Sequence, residues 1–111
     1  MPKHVVVVLS EPVEGREAEF NDWYENTHIQ EVLETTGWKS GQRFQLSAEK
    51  GHNCPLRFLA IYEADAENGD AVVARLDETR SKRQQSDSFD WESAAMWVFS
   101  ETGPKWERDA S

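Results

Sequence analysis

Apolar residues along the chain fall into short blocks whose spacing changes from block to block, and each block predicts an element. His4 to Leu9 is a β-branched run closed by Ser10-Glu11-Pro12, which predicts a strand with a turn behind it. Both faces of that strand are apolar, Val5, Val7 and Leu9 on one and Val6 and Val8 on the other, so it needs cover on two sides. His4, at its start, is expected to face solvent. From Arg16 to about Thr36 the spacing becomes helical, with Pro12 and Gly15 just ahead of it. Phe20, Trp23, Tyr24 and Thr27 share one face, while Glu19, Asp22, Glu25 and Asn26 lie opposite. This stripe does not keep phase. At about 100° per residue, Ile29, Val32 and Leu33 centre on the other side of the helix. One straight helix cannot bury both stripes against one sheet. A break near His28 and Ile29 is therefore expected, with a short second helix ending at Gly37.

Trp38 to Ser47 reads as a second strand, with Trp38, Phe44 and Leu46 of one parity and Arg43 of the other. Ala48 to Pro55, with Gly51 and Asn53, is a loop. Leu56 to Glu63 is a third strand, again apolar on both parities. Asn68-Gly69-Asp70 can cap a helix from about Asp70 to Arg83 with a narrow stripe of Val72, Val73 and Leu76. Arg80, Lys82 and Arg83 at its end have the sign that suits the helix dipole. After a polar loop, Ala94 to Phe99 alternates as a last strand. The order β-α-β-β-α-β predicts an α+β fold of the ferredoxin-like, split-βαβ kind: a four-stranded antiparallel sheet with both helices on one face. Residues 1–102 form that single domain, and 103–111 a polar tail carrying Trp106. The second apolar parity of strands one and three still lacks cover, and the chain has nothing left to supply it. A homodimer packed sheet to sheet, a dimeric α/β barrel, is the expectation.

Composition narrows the function. Twelve basic against twenty-one acidic residues give a formal net charge of −9 in 111 residues. Such acidity argues against nucleic-acid and anionic-membrane partners, which need basic patches, and against a polyanionic substrate unless a few arginines cluster locally. No apolar run reaches the about 18 residues of a membrane span, and the N-terminus does not read as a signal peptide. The lone Cys54 can form neither an internal disulfide nor a thiolate cluster. A cytoplasmic location is expected.

The densest chemistry lies in Trp23-Tyr24-Glu25-Asn26-Thr27-His28. Tyr24 and His28, four apart, are neighbours on a helix surface, and an imidazole beside a phenol can move protons near neutral pH. The structural alternative is that His28 caps the broken first segment. Arg43 and Tyr62 can bind a carboxylate or a polarised carbonyl, though Arg43 can equally be a rim residue paired with a glutamate. Trp91, Trp97 and Phe99 can line an aromatic pocket or simply fill the core. His52 and Cys54 lack the spacing of a metal site. Phosphate-loop, dinucleotide-binding and nucleophile-elbow motifs are absent, and no cofactor or metal is expected.

Trp23-Tyr24-x-x-x-His28, followed by Ile29, Val32-Leu33, Gly37-Trp38 and a strand with Arg43-Phe44, resembles the EthD-like group of dimeric α/β barrel proteins. Pro55-x-Arg57-Phe58-Leu59-Ala60-Ile61-Tyr62-Glu63, Ser86-Asp87 and Trp97-Val98-Phe99 are similar to that group's later stretches. The chain departs at Gln30, where the group often has proline. The resemblance implies a homodimer with a pocket in each protomer between sheet and helices. It also implies cofactor-free lyase, isomerase, cyclase or dehydratase chemistry on a small, aromatic or polyketide-like molecule. His28 is then the general acid or base, with Tyr24 orienting it or stabilising an oxyanion. Trp23, Arg43, Tyr62 and Trp97 are the candidate substrate-binding residues. The rival expectation is a non-catalytic binding or accessory protein of an oxygenase or degradation pathway.

Overall fold

The computed structural model describes residues 1–109. Its elements are β1 (Lys3–Ser10), α1 (Glu17–Trp23), a π-helical segment (Tyr24–His28), α2 (Ile29–Thr36), β2 (Ser40–Gln45), β3 (Phe58–Asp65), α3 (Gly69–Thr79), a 3-10 turn (Arg80–Lys82) and β4 (Ala95–Ser100). The strands form one sheet in the order β2-β3-β1-β4, with every neighbouring pair antiparallel. The two helical segments close the β1-to-β2 and β3-to-β4 connections. The architecture is α+β and compatible with the ferredoxin-like arrangement.

Register decides which parity faces the helices. Val6 pairs with Tyr62 on one side and Val98 on the other, and Gly41 continues the row beyond Tyr62. That row belongs to the buried face, which carries Val6, Phe58, Ala60, Tyr62 and Ala64 under Phe20, Tyr24, Val32 and Val72. The close approach at Gly41 is required: a Cβ there would stand 2.8 Å from Tyr62 Cδ1 and 3.1 Å from Ile29 Cγ2. His4 shares this parity. It is buried, not solvent-facing as its position suggested, with Nδ1 2.8 Å from Ser100 Oγ and Nε2 3.0 Å from the Ala66 carbonyl. Two partners for two ring nitrogens make burial of that imidazole tolerable.

The helical break falls where the phase argument puts it, in the form of a π-helix. Ile29 N–H reaches back five residues to the Tyr24 carbonyl. The wider turn rotates less per residue than an α-turn, so it takes up part of the offset between the two apolar stripes. α2 then ends on Gly37 at φ 79°, a left-handed cap that closes onto the Leu33 carbonyl. β2 is shorter than expected at its start because Trp38 does not join it. Its ring instead packs on Tyr62 in the α2–β2 turn, 5.5 Å between centroids. β3 starts two residues late, at Phe58. α3 is capped by the Asn68 side chain, which accepts from Ala71 N–H at 2.8 Å. The helix stops at Thr79, so Arg83 lies just past the 3-10 turn.

The opposite sheet face carries Phe44, Val5, Val7, Leu9, Leu59, Ile61, Trp97 and Phe99, with no helix or strand of the described residues over it. Phe44, Trp97 and Phe99 are 44, 46 and 60% exposed. Trp97 and Phe99 are therefore not core residues of this chain, as one reading had them. Residues 101–109 form neither helix nor strand, and Trp106 stands free. Ala110 and Ser111 of the expected tail lie outside the described residues.

Candidate active site

A cavity of about 240 Å³ lies between the covered sheet face and the helices. Val6, Val8, Tyr62 and Met96 come from the strands, Tyr24, His28, Val32 and Leu76 from the helical side, and Trp38 and Phe89 from connecting turns. The exposed Asp77, Arg80, Gln85 and Trp91 mark where it meets solvent. A cavity of roughly 150 Å³ takes one benzene ring, so this one suits a two-ring molecule or a ring with a short chain. Its walls are mainly apolar.

The π segment sets the polar part. Tyr24 and His28, four residues apart on it, stand on the same wall, their rings edge to face at 5.0 Å. Trp23 stacks on the other side of His28, 4.3 Å between centroids and 23° between planes, and donates its indole N–H to the Gln84 carbonyl at 3.3 Å. His28 is thus clamped between two aromatic side chains. It caps nothing: its Nδ1 is buried without a hydrogen-bond partner, which overturns the capping alternative. Burial, followed by the positive charge of Arg83, pushes its pKa from the ordinary 6.5 down to about 4. The imidazole is neutral at pH 7.

Tyr62 Oη is likewise buried and unpartnered at the same cavity. Burial pushes Tyr24 up to about 12, against the opposing charge of Arg43. Burial and the neighbouring Tyr24 push Tyr62 higher still. Both phenols keep their protons at any working pH and can act as donors.

The candidate substrate-binding residues separate. Tyr62 lines the cavity. Trp23 does not line it, and borders instead a shallow groove with Glu19, Asp22, Asp87 and Trp91 on the outer side of His28. Arg43 is neither a rim residue nor a cavity residue. Its side chain is buried against Tyr24, 4.5 Å from the ring centroid, and bonds Asn21 Oδ1 at 2.8 Å, with Glu25 at 3.4 Å. Trp97 points to the uncovered sheet face, so its expected place in the pocket is corrected. Arg83 is the residue the sequence reading left out. It lines the cavity, its guanidinium held by Thr35 Oγ1 at 2.9 Å, Thr79 Oγ1 at 2.7 Å and the Leu76 carbonyl at 2.9 Å. A signal for it exists: Val72, Leu76, Thr79 and Arg83 follow the helical spacing of one buried stripe.

No helix among the described residues is long and apolar enough to cross a membrane. No family model matches the chain, and no curated protein matches it. Its structure is similar to the crystal structure of an ethyl tert-butyl ether D (EthD) family protein from Bacillus halodurans. That match covers 92% of this chain and 100% of the other, with a TM-score of 0.50 and 13% sequence identity. At that identity the likeness is one of fold, and it agrees with the architecture read from the strand order.

Proposed function

We propose that the cavity takes a small, largely apolar metabolite, aromatic or polyketide-like, and that His28 moves a proton on it without a cofactor. Neutral His28 takes the proton from a carbon beside a carbonyl or from a phenol and returns it to another carbon in an isomerisation, to the oxygen of the carbonyl that the new carbon–carbon bond attacks in a cyclisation, or to a β-hydroxyl that leaves as water in an elimination. Tyr62 or Tyr24 donates to the oxygen that gains charge. The observation that carries this reading is the pair of buried polar atoms, His28 Nδ1 and Tyr62 Oη, left without partners at one apolar cavity. Each such orphan costs about 1–3 kcal/mol, which a ligand bonding to both recovers.

The test is incubation of wild type and His28→Gln with phenolic, enolic and lactone compounds, read by chromatography with mass detection so that isomers register. Conversion by wild type, lowered by about 10²-fold or more in His28→Gln, is expected. Absence of any conversion, with compounds that still raise the melting temperature, leaves the second reading: a non-catalytic binding or accessory protein. That reading is favoured by the depressed basicity of His28, which makes it a weak base in the empty cavity. The uncovered sheet face further supports a homodimer joined through it, closing the two sheets into a barrel.

A further inference from the structure

Among the arginines of this acidic chain, Arg16, Arg43, Arg57 and Arg75 each have a carboxylate within ion-pair distance. Arg83 has none among the described residues, although it is buried. Its three hydrogen bonds go to two threonine hydroxyls and one carbonyl, all neutral. A guanidinium has five N–H groups, so two remain uncommitted. A buried cation held only by neutral acceptors is under-compensated, and Arg83 keeps its charge under all ordinary conditions. Arg80 adds a second cation to the cavity lining, stacked 4.9 Å from the Trp91 ring centroid, against a single lining carboxylate, Asp77. A protein of net charge −9 thus lines this apolar cavity with an excess of positive charge.

Building on the reading of this cavity as the ligand site, we infer that its ligand is a small organic anion whose carboxylate, phenolate or enolate oxygen docks on Arg83. The apolar body of the ligand then fills the space between Val6, Val32, Leu76 and Met96, with Tyr62 Oη as a second donor to the same end. Arg83 is a specificity residue in this arrangement: it selects a ring with an acidic oxygen over the same ring without one.

Binding of 1-naphthoate, 1-naphthol and the uncharged 1-naphthamide to the full chain, measured by calorimetry near neutral pH and at high pH where naphthol ionises, tests this. Naphthoate is expected to bind about tenfold or more tighter than naphthamide, as a charge-assisted hydrogen bond in a buried site implies. Naphthol is expected to gain affinity on ionising. Arg83→Lys should retain a preference for the anion and Arg83→Gln should lose it. Since Arg83 also braces Thr35 and Thr79, the wild-type comparison stands even where Arg83→Gln does not fold. Equal binding of naphthoate and naphthamide overturns the inference while leaving the cavity a ligand site. Binding of none of the three overturns both.

Discussion

His28 shows how the surroundings of one side chain decide its chemistry. An imidazole on a helix surface would titrate near 6.5, but this one is sandwiched by Trp23 and Tyr24, lacks a partner at Nδ1 and faces the Arg83 charge. Its pKa in the folded protein, about 4, lies below that of the unfolded chain. Between about pH 6.5 and about 4 the unfolded chain therefore binds a proton that the folded one does not. Folding stability is highest above that window and falls as pH drops through it, by about 3 kcal/mol in all. Urea unfolding at pH 7.5 and 4.5 should show this fall in wild type and a clearly smaller one in His28→Gln. The same residue was legible in the sequence through its spacing from Tyr24, because i and i+4 neighbours follow from helical geometry alone. Arg83 was harder to read: it shares the helical spacing of Val72, Leu76 and Thr79, but three basic residues at a helix end satisfy the dipole wherever they point, and its bonds to Thr35 on α2 and to Thr79 are what hold it at the cavity.

At the scale of elements, the phase slip between Phe20–Thr27 and Ile29–Leu33 was sufficient to predict a break and its place, since no straight cylinder buries opposite sides on one sheet. Its form, a π segment, depends on backbone hydrogen bonding that side-chain spacing does not report. The strands were legible as strands, but their facing was not. Trp97, expected as a pocket aromatic, pairs with Val7 while Val98 pairs with the buried Val6, so its parity is that of the uncovered face. The burial of His4 is hidden for a similar reason: only the closing of β4 and the β3–α3 connection around it supplies its two hydrogen-bond partners, the Ser100 hydroxyl and the Ala66 carbonyl. Register also creates a sharp constraint at Gly41, opposite Tyr62. Gly41→Ala should displace the Tyr62 ring toward the cavity, costing about 1–3 kcal/mol in urea unfolding. Ligand affinity should fall more in that variant than in an alanine placed on the exposed Gln42. An unchanged Tyr62 environment by NMR would contradict the packing described here.

For the whole molecule, the open sheet face is the strongest sequence-level inference still awaiting a partner. Both parities of β1 and β3 are apolar, and the helices bury only one. Trp97 and Phe99, exposed on this face along the edge strand β4, form an aromatic pair of the kind that carries binding energy in dimers. Sedimentation at micromolar concentration should give two chains for wild type and one for Trp97→Glu, with the single-chain variant still folded. A wild type that sediments as one chain would remove the barrel from the proposal.

The strand order has a consequence for the history of each molecule. β1 leaves the ribosome before β2, β3 and β4, yet it occupies an interior place in the sheet, bonded to β3 on one side and β4 on the other. Its first edge stays unpaired until Phe58–Asp65 emerges, and its second until Ala95–Ser100 does. At about 5–20 residues per second β1 spends seconds as an unpaired, sticky ribbon, the condition under which chains find wrong neighbours. The segment that holds the finished sheet together is thus the one most exposed to capture by other chains during synthesis.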